Sequence, residues 1–381
     1  MSNLKNEIID VLKYFRFFNY PPTVEEIYRF VKKPAEKRQF TGILKIMEKK
    51  GLVTRFSNSK SSIYTEFSIN KLIKSFNNQV LNFYENSKLQ ISDSDSLNRY
   101  TTLQYIKRDK ELNNWSNRQR ISLDKLKAWK FRTYIKLLSF FPSIKLVGLS
   151  GSVAMLNADE GHDIDLFIIT AKNRLFTGRF LALSLGQFLG IRRRFKIIAK
   201  EQAAELKGIP TARSRGLSNP KRVPAGMKTP TEYGIRNKDK ICLNLFFDQK
   251  NLKIPKFKRS EFVAHEVLQM KPLIDRDGIY LRFIDANRWV FDIFPNAKSK
   301  VKSQKLKVQF KNKNFLLLSF IFDFLFLTFK FMIDKVESVL KKLQLFSINK
   351  HKTSELITDS QLWFHPEDFE KKIKARLPPR N

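Results

Sequence analysis

Leu146-Val147-Gly148-Leu149-Ser150-Gly151-Ser152-Val153-Ala154, followed by Asp163-Ile164-Asp165-Leu166-Phe167-Ile168-Ile169, is the stretch whose reading decides the fold. Two apolar runs of strand length are separated by Gly-Ser and a spacer of about ten residues. The pattern predicts a strand, a Gly-Ser turn, a short helix, and a second strand that opens on two carboxylates. Side chains two apart on a strand leave from the same face. Asp163 and Asp165 therefore reach one site while Ile164 enters the core. Carboxylates that close repel unless a cation neutralises them, and hard oxygen ligands select Mg²⁺ or Mn²⁺. Gly151 permits close backbone approach, Ser152 supplies a hydroxyl, and the amides that open a helix face an anion. A phosphate chain bridged by the cation to both aspartates satisfies that geometry. In-line attack at the α-phosphorus would then expel pyrophosphate.

Upstream, Leu123 to Phe141 has helical amphipathic spacing and ends at Pro142. Downstream, Lys172, Arg174 and Arg179 are candidates for phosphate contact, and a solvated helix face explains them equally well. Residues 199–238 gather four prolines and four glycines with few large apolar residues, which marks a surface loop or insertion. Its basic residues, among them Arg213, Arg215, Lys221 and Arg222, suit contact with a polyanion or simple solvation. Lys240–Phe247 has the composition of a buried strand, and Glu261–Met270 reads as a helix that stops before Pro272.

This composite resembles the nucleotidyltransferase superfamily with the DNA polymerase β-like fold. The resemblance rests on Gly151-Ser152 and Asp163-Ile164-Asp165 with their apolar flanks. Ala264–Pro272, Ala286–Val290, Phe294-Pro295-Asn296 and the tail around Phe364–Asp368 look like an uncharacterised bacterial subgroup of it. It implies Asp163 and Asp165 as catalytic metal ligands, Gly151 and Ser152 as the nucleotide-binding pair, and transfer of a nucleoside monophosphate from a nucleoside triphosphate to an acceptor. The family places a third acid on a following strand. Here Ile241–Phe246 offers only Asn244, whose amide oxygen can ligate a metal but cannot take a proton near neutral pH. Asp248, at the end of that strand, is the other candidate. The departure keeps a second reading open: a catalytically weak nucleotide-binding or DNA-binding regulatory protein. His265 and Glu266 form an acid/base candidate pair that an amphipathic helix also explains as structural.

The first 68 residues predict three helices and a hairpin, a winged-helix-like start. Leu4, Ile8, Leu12 and Phe15 share one face; Thr23 and Glu26 form a capping box; a helix over about 34–50 ends at Gly51. Strands are expected at Leu52–Phe56 and Ile63–Ser68, with Lys37, Arg38, Gln39 and Lys45 on the candidate recognition helix. The expected fold is α+β: a nucleotidyltransferase-type mixed sheet with helices, after a small winged-helix-like domain and before a helical C-terminal region. The corresponding boundaries are 1–70, a helical connector over 71–140, the nucleotidyltransferase-like domain over 141–297, and 298–381 as basic linker and hydrophobic or amphipathic helical tail.

Seventy-two Lys and Arg against 36 Asp and Glu give a formal charge of +36. Such a charge attracts nucleic acid, nucleotides or anionic lipid, although an AT-rich coding bias produces the same composition. One cysteine excludes a disulfide framework and a thiolate zinc site, and the N-terminus lacks a signal-peptide pattern, so a cytoplasmic setting is expected. Residues 298–313 hold seven lysines and no acid. Phe315–Ile333 follows, interrupted only by Ser319, Asp323, Thr328 and Lys330. That length approaches a bilayer span, but Asp323 near its middle is costly in lipid. A packed helix and membrane association through 298–333 both stay open, the lysines suiting contact with an anionic membrane.

Overall fold

The computed structural model describes residues 2–56, 99–102, 108–193, 239–298, 330–350 and 355–364. Helix α1 (Ser2–Phe17) turns Ile8, Leu12 and Phe15 inward, as their spacing predicts. Helix α2 (Val24–Phe30) begins with the expected capping box. The Thr23 hydroxyl accepts the Glu26 amide at 3.2 Å, and the Glu26 carboxylate accepts the Thr23 amide at 2.7 Å. Helix α3 (Lys37–Lys49) buries Phe40, Ile43, Leu44 and Met47, and Gly51 takes the left-handed conformation just past its end. Strand β1 (Val53–Phe56) follows, paired antiparallel with β2 (Arg99–Thr102). The second hairpin strand expected over 63–68 lies outside the described residues.

The helix expected over 123–141 is two helices, α4 (Arg108–Lys127) and α5 (Trp129–Leu138). Ala128 between them is extended, which lets Leu126 and Phe131 reach the same apolar cluster. Next come β3 (Ile144–Ser150), the single turn α6 (Gly151–Ala154), β4 (Ile164–Thr170) and α7 (Leu175–Phe188). The chain continues through β5 (Ile241–Asp248), α8 (Glu261–Gln269), β6 (Lys271–Asp275), α9 (Ile279–Ala286) and α10 (Val290–Ile293). It ends, among the described residues, with α11 (Lys330–Asn349), β7 (Leu356–Ile357) and β8 (Gln361–Trp363).

Six strands form a mixed sheet in the order β6-β3-β4-β5-β8-β7, so the architecture is α+β. Only the β4–β5 pairing is parallel. Two elements depart from the sequence reading. Pro272 does not merely end a helix; it sits within β6, an edge strand, where a missing N–H is tolerated. The tail is not wholly helical, because β7 and β8 extend the sheet. Gln361 anchors them by donating to the carbonyls of Asn251 and Lys253, each at 2.9 Å.

Strand alternation sorts the core into two layers. One face of the sheet sends Ile144, Val147, Leu149, Ile164, Leu166 and Ile168 against α5 and α7. The other sends Leu146, Phe167, Ile169 and Phe247 against α8, α9 and α10, in a cluster that runs on into α1, α2 and α3. The N-terminal helices thus share a core with the sheet. Asn296 fastens that junction: its amide donates to the carbonyls of Val31 (3.1 Å) and Lys33 (2.9 Å), and its oxygen accepts the Ala35 amide at 3.1 Å. Fully buried Asn287 does the same for the segment after β5, accepting the Ile254 amide and donating to the Leu252 and Phe283 carbonyls. Helix α7 is capped from outside, since the Glu337 carboxylate of α11 accepts the Phe176 and Thr177 amides.

No helix among the described residues is long and apolar enough to cross a membrane. The proline- and glycine-rich segment 199–238, the lysine run beyond Lys298 and the apolar run to residue 329 lie outside the described residues.

Replacing Asn296 by Ala removes three hydrogen bonds and leaves buried backbone groups without partners. We expect a loss of roughly 2–4 kcal/mol in urea unfolding monitored by circular dichroism. A loss below about 0.5 kcal/mol would show that the junction is held by apolar packing alone.

Candidate functional site

Antiparallel pairing sets Ser150 opposite Asp165 at the end of β3 and the start of β4. Gly151 then turns the chain with φ +65°, and a Cβ there would stand 2.4 Å from Asp165 Oδ2. Only glycine fits, because the carboxylate lies against its α-carbon. The spacer back to Asp163 is pinned at several points. The Asn157 amide donates to the Ser152 carbonyl at 2.9 Å, the Ala158 amide donates to the Ser122 hydroxyl at 2.9 Å, and the Asn157 side chain donates to the Phe18 carbonyl at 2.8 Å. The two aspartates and Gly151-Ser152 are thereby brought to one end of the sheet, as the sequence predicts.

Three neighbours were not anticipated there. Arg193 forms a hydrogen-bonded ion pair with Asp163. The Cys242 thiol lies beside the Asp165 carboxylate, from the facing position on β5, and lowers its pKa slightly against the larger effect of burial. Lys125 of α4 is buried with its ammonium on the Glu160 carbonyl at 2.8 Å, and its charge acts on Asp163. Arg193 escaped notice because it borders the segment read as an insertion. A lysine on an amphipathic helix reads as solvent-facing, and the burial of Lys125 depends on the distant Glu160 carbonyl.

Glu266 and His265 part company, as adjacent helical residues must. The Glu266 carboxylate lies near the Gly151 amide, and its charge raises the Asp165 carboxyl. The amide expected to meet a phosphate thus has an internal acid beside it, and α6 is a single turn with little macrodipole. His265 is structural. It is stacked between Tyr14 and Phe30, with ring centroids at 4.0 and 4.1 Å, and burial holds its imidazole neutral.

The candidates for the third acid resolve differently. Asp248 pairs with Thr170, five residues along β4 from Asp165, about 16 Å at ordinary strand rise. Its carboxylate accepts the amides of Asn173 (2.6 Å) and Lys250 (2.8 Å), so it closes a turn at the opposite end of the sheet and does not join the site. Asn244 falls in the register shift between the Asp165–Cys242 and Phe167–Leu245 pairs, its side-chain oxygen enclosed without a hydrogen-bond partner. Arg174 and Arg179 are also committed elsewhere. Arg174 pairs with Asp334 at 2.5 Å, while Arg179 donates to Gln344 and lies over the Phe364 ring.

The electrostatics follow from enclosing acids together. Burial raises the Asp163 carboxyl although Arg193 and Lys125 oppose the shift. Burial, then Glu266 and Asp163, push Asp165 up to about 7, and burial does the same to Glu266. Asp163 Oδ1 is enclosed with no hydrogen-bond partner. Two carboxylates on one face, one with an unengaged oxygen, fit a hard cation bound through Asp163 and Asp165. The fit stops at that pair: among the described residues no group of three or more His, Cys, Asp or Glu side chains is arranged to hold a metal. No protein-family model, curated protein or solved structure matches this chain.

A carboxyl raised in the native state contributes stability that is full below its unfolded pKa and is lost as pH rises through its folded value. For Asp165 that window runs from its ordinary value of 3.8 to about 7. Without divalent cation, Asp165→Asn should therefore melt higher than the wild type at pH 8, with a clearly smaller difference at pH 5, inside the window, because the difference vanishes only below the unfolded value of 3.8. Thermal melts at both pH values check this; an unchanged or lowered melt at pH 8 contradicts the assignment.

Proposed function

We propose that this end of the sheet binds a nucleoside triphosphate together with Mg²⁺ or Mn²⁺. In this reading the chain is a metal-dependent nucleotidyltransferase that moves a nucleoside monophosphate to an acceptor hydroxyl. The observation that carries the reading is the pairing that sets Asp165 against Gly151 with Asp163 beside it. The β3–α6–β4–β5 order of strand, turn, short helix, strand and following strand is what the resemblance to the polymerase β-like fold implies.

Asp163 and Asp165 would hold the cation, which supplies charge neutralisation for the triphosphate and the departing pyrophosphate. The Ser152 hydroxyl donates to a phosphate oxygen. Glu266, beside the Gly151 amide, would help to position the turn and is not itself a ligand in this reading. Arg193 balances Asp163 in the protein alone and would be placed to meet phosphate oxygens if a cation took over that role.

A second reading, a nucleotide-binding regulator with weak or no turnover, draws on a specific observation. Cys242, a weak acid further raised by burial, faces Asp165 where a third carboxylate would serve catalysis. In that reading the N-terminal helices with β1 and β2 form a winged helix. The exposed Lys37, Arg38, Lys45 and Lys49 of α3 then meet duplex DNA.

Incubating the full chain with each labelled nucleoside triphosphate, Mn²⁺ and cell extract separates the two. Metal-dependent label transfer that Asp163→Ala/Asp165→Ala abolishes is the expected result. Triphosphate binding without transfer favours the regulator, and absence of metal-dependent binding contradicts both. A salt-sensitive gel shift with duplex DNA, lost in Arg38→Glu/Lys45→Glu, tests the α3 contact. Those charge changes are preferable to deletion, because the N-terminal helices share their core with the sheet.

A further inference from the structure

Helix α11 has two unlike faces. The inner face is committed to the fold. Glu337 caps α7, the Gln344 amide donates to the Phe176 carbonyl at 2.8 Å, and Leu340 and Leu345 pack on the sheet-side cluster. The outer face carries Val336, Val339, Leu343 and Phe346, which are 47%, 55%, 62% and 78% exposed. Their spacing of three, four and three residues aligns them in one stripe along the helix. Exposure rises steadily toward Phe346, and none of the described residues covers the stripe. Lys335, Lys342 and Lys350 are exposed beside it. The helix has only two acids, and neither is in the stripe: Asp334 pairs with Arg174, and Glu337 points inward. An apolar stripe edged by lysines and without acids matches the interface of a bilayer with anionic headgroups.

We propose that the outer face of α11 lies on an anionic lipid surface, with Val339, Leu343 and Phe346 entering the headgroup–acyl boundary and the flanking lysines meeting phosphate. Charge complementarity selects this occupant over a second copy of the chain. Two such faces would bring lysines against lysines on molecules each carrying a formal +36. The sequence leading into the helix has the same character, seven lysines without an acid over 298–313 and then the apolar run from Phe315. The contact is independent of the nucleotide site.

Flotation of the full chain with vesicles tests the proposal. The protein should float with an equal mixture of phosphatidylglycerol and phosphatidylcholine and remain behind with phosphatidylcholine alone. Binding should fall as salt rises to about 0.5 M, where screening is nearly complete. Leu343→Asp/Phe346→Asp should lower the floated fraction roughly tenfold with an unchanged melting temperature. Flotation equal to wild type in a folded double variant overturns the proposal. So does a lipid-free dimer in sedimentation that the same variant dissociates, since a second copy would then own the face. Should the aspartate variant fail to fold, Phe346→Trp decides. Brominated lipid in anionic vesicles should quench its emission beyond that of the wild type, and no added quenching overturns the assignment.

Discussion

Where β3 ends and β4 begins, Ser150 faces Asp165 across an antiparallel pair and the chain must reverse within the space one carboxylate leaves. The Asp165 oxygen so near the Gly151 α-carbon admits no side chain there, and the left-handed turn that results aims the amide of Gly151 at Glu266. From that contact the rest of the site follows. Asp163 is carried to the same face two residues before, Cys242 is brought alongside by the parallel strand, and Arg193 supplies a countercharge. Three acids are enclosed with too little positive charge among them: burial, then Glu266 and Asp163, push Asp165 up, and burial pushes Glu266 up.

Such an arrangement is poised between two electrostatic states. In the protein alone, protons and Arg193 compensate the acids. With a divalent cation, as the proposed function requires, the acids would ionise and the guanidinium would be released to other anions. Binding of metal would thus be coupled to proton release, and the coupling resides in burial and not in any single ligand.

Much of this was legible in the sequence because it depends on local rules. Short apolar runs of strand length placed β3, β4 and β5, the Thr23–Glu26 box placed the start of α2, and Gly51 placed the end of α3. The adjacency of Asp163, Asp165 and Gly151 needed only strand geometry. What was not legible depended on register or on distant contacts. Asp248 looked near Asp165 only until the β4–β5 register set it opposite Thr170. Glu266 gave no local sign of reaching Gly151, 115 residues earlier in the chain. β8 is three residues long, too short for periodicity, and is held in the sheet by Gln361 reaching residues near 250. Pro272 read as a stop because an edge strand cannot be told from sequence.

The tertiary stack of His265 between Tyr14 and Phe30 bears on how the chain is made. Its rings come from positions some 250 residues apart, and Phe294 closes the same cluster. During synthesis the first three helices emerge without the surface that covers Tyr14 and Phe30. Their inner faces stay open until α8 and α10 have left the ribosome. The sheet waits longer still, since β5 gains its outer partner only with Trp363. The core that joins the N-terminal helices to the sheet is therefore completed only after α8 and α10 have been made.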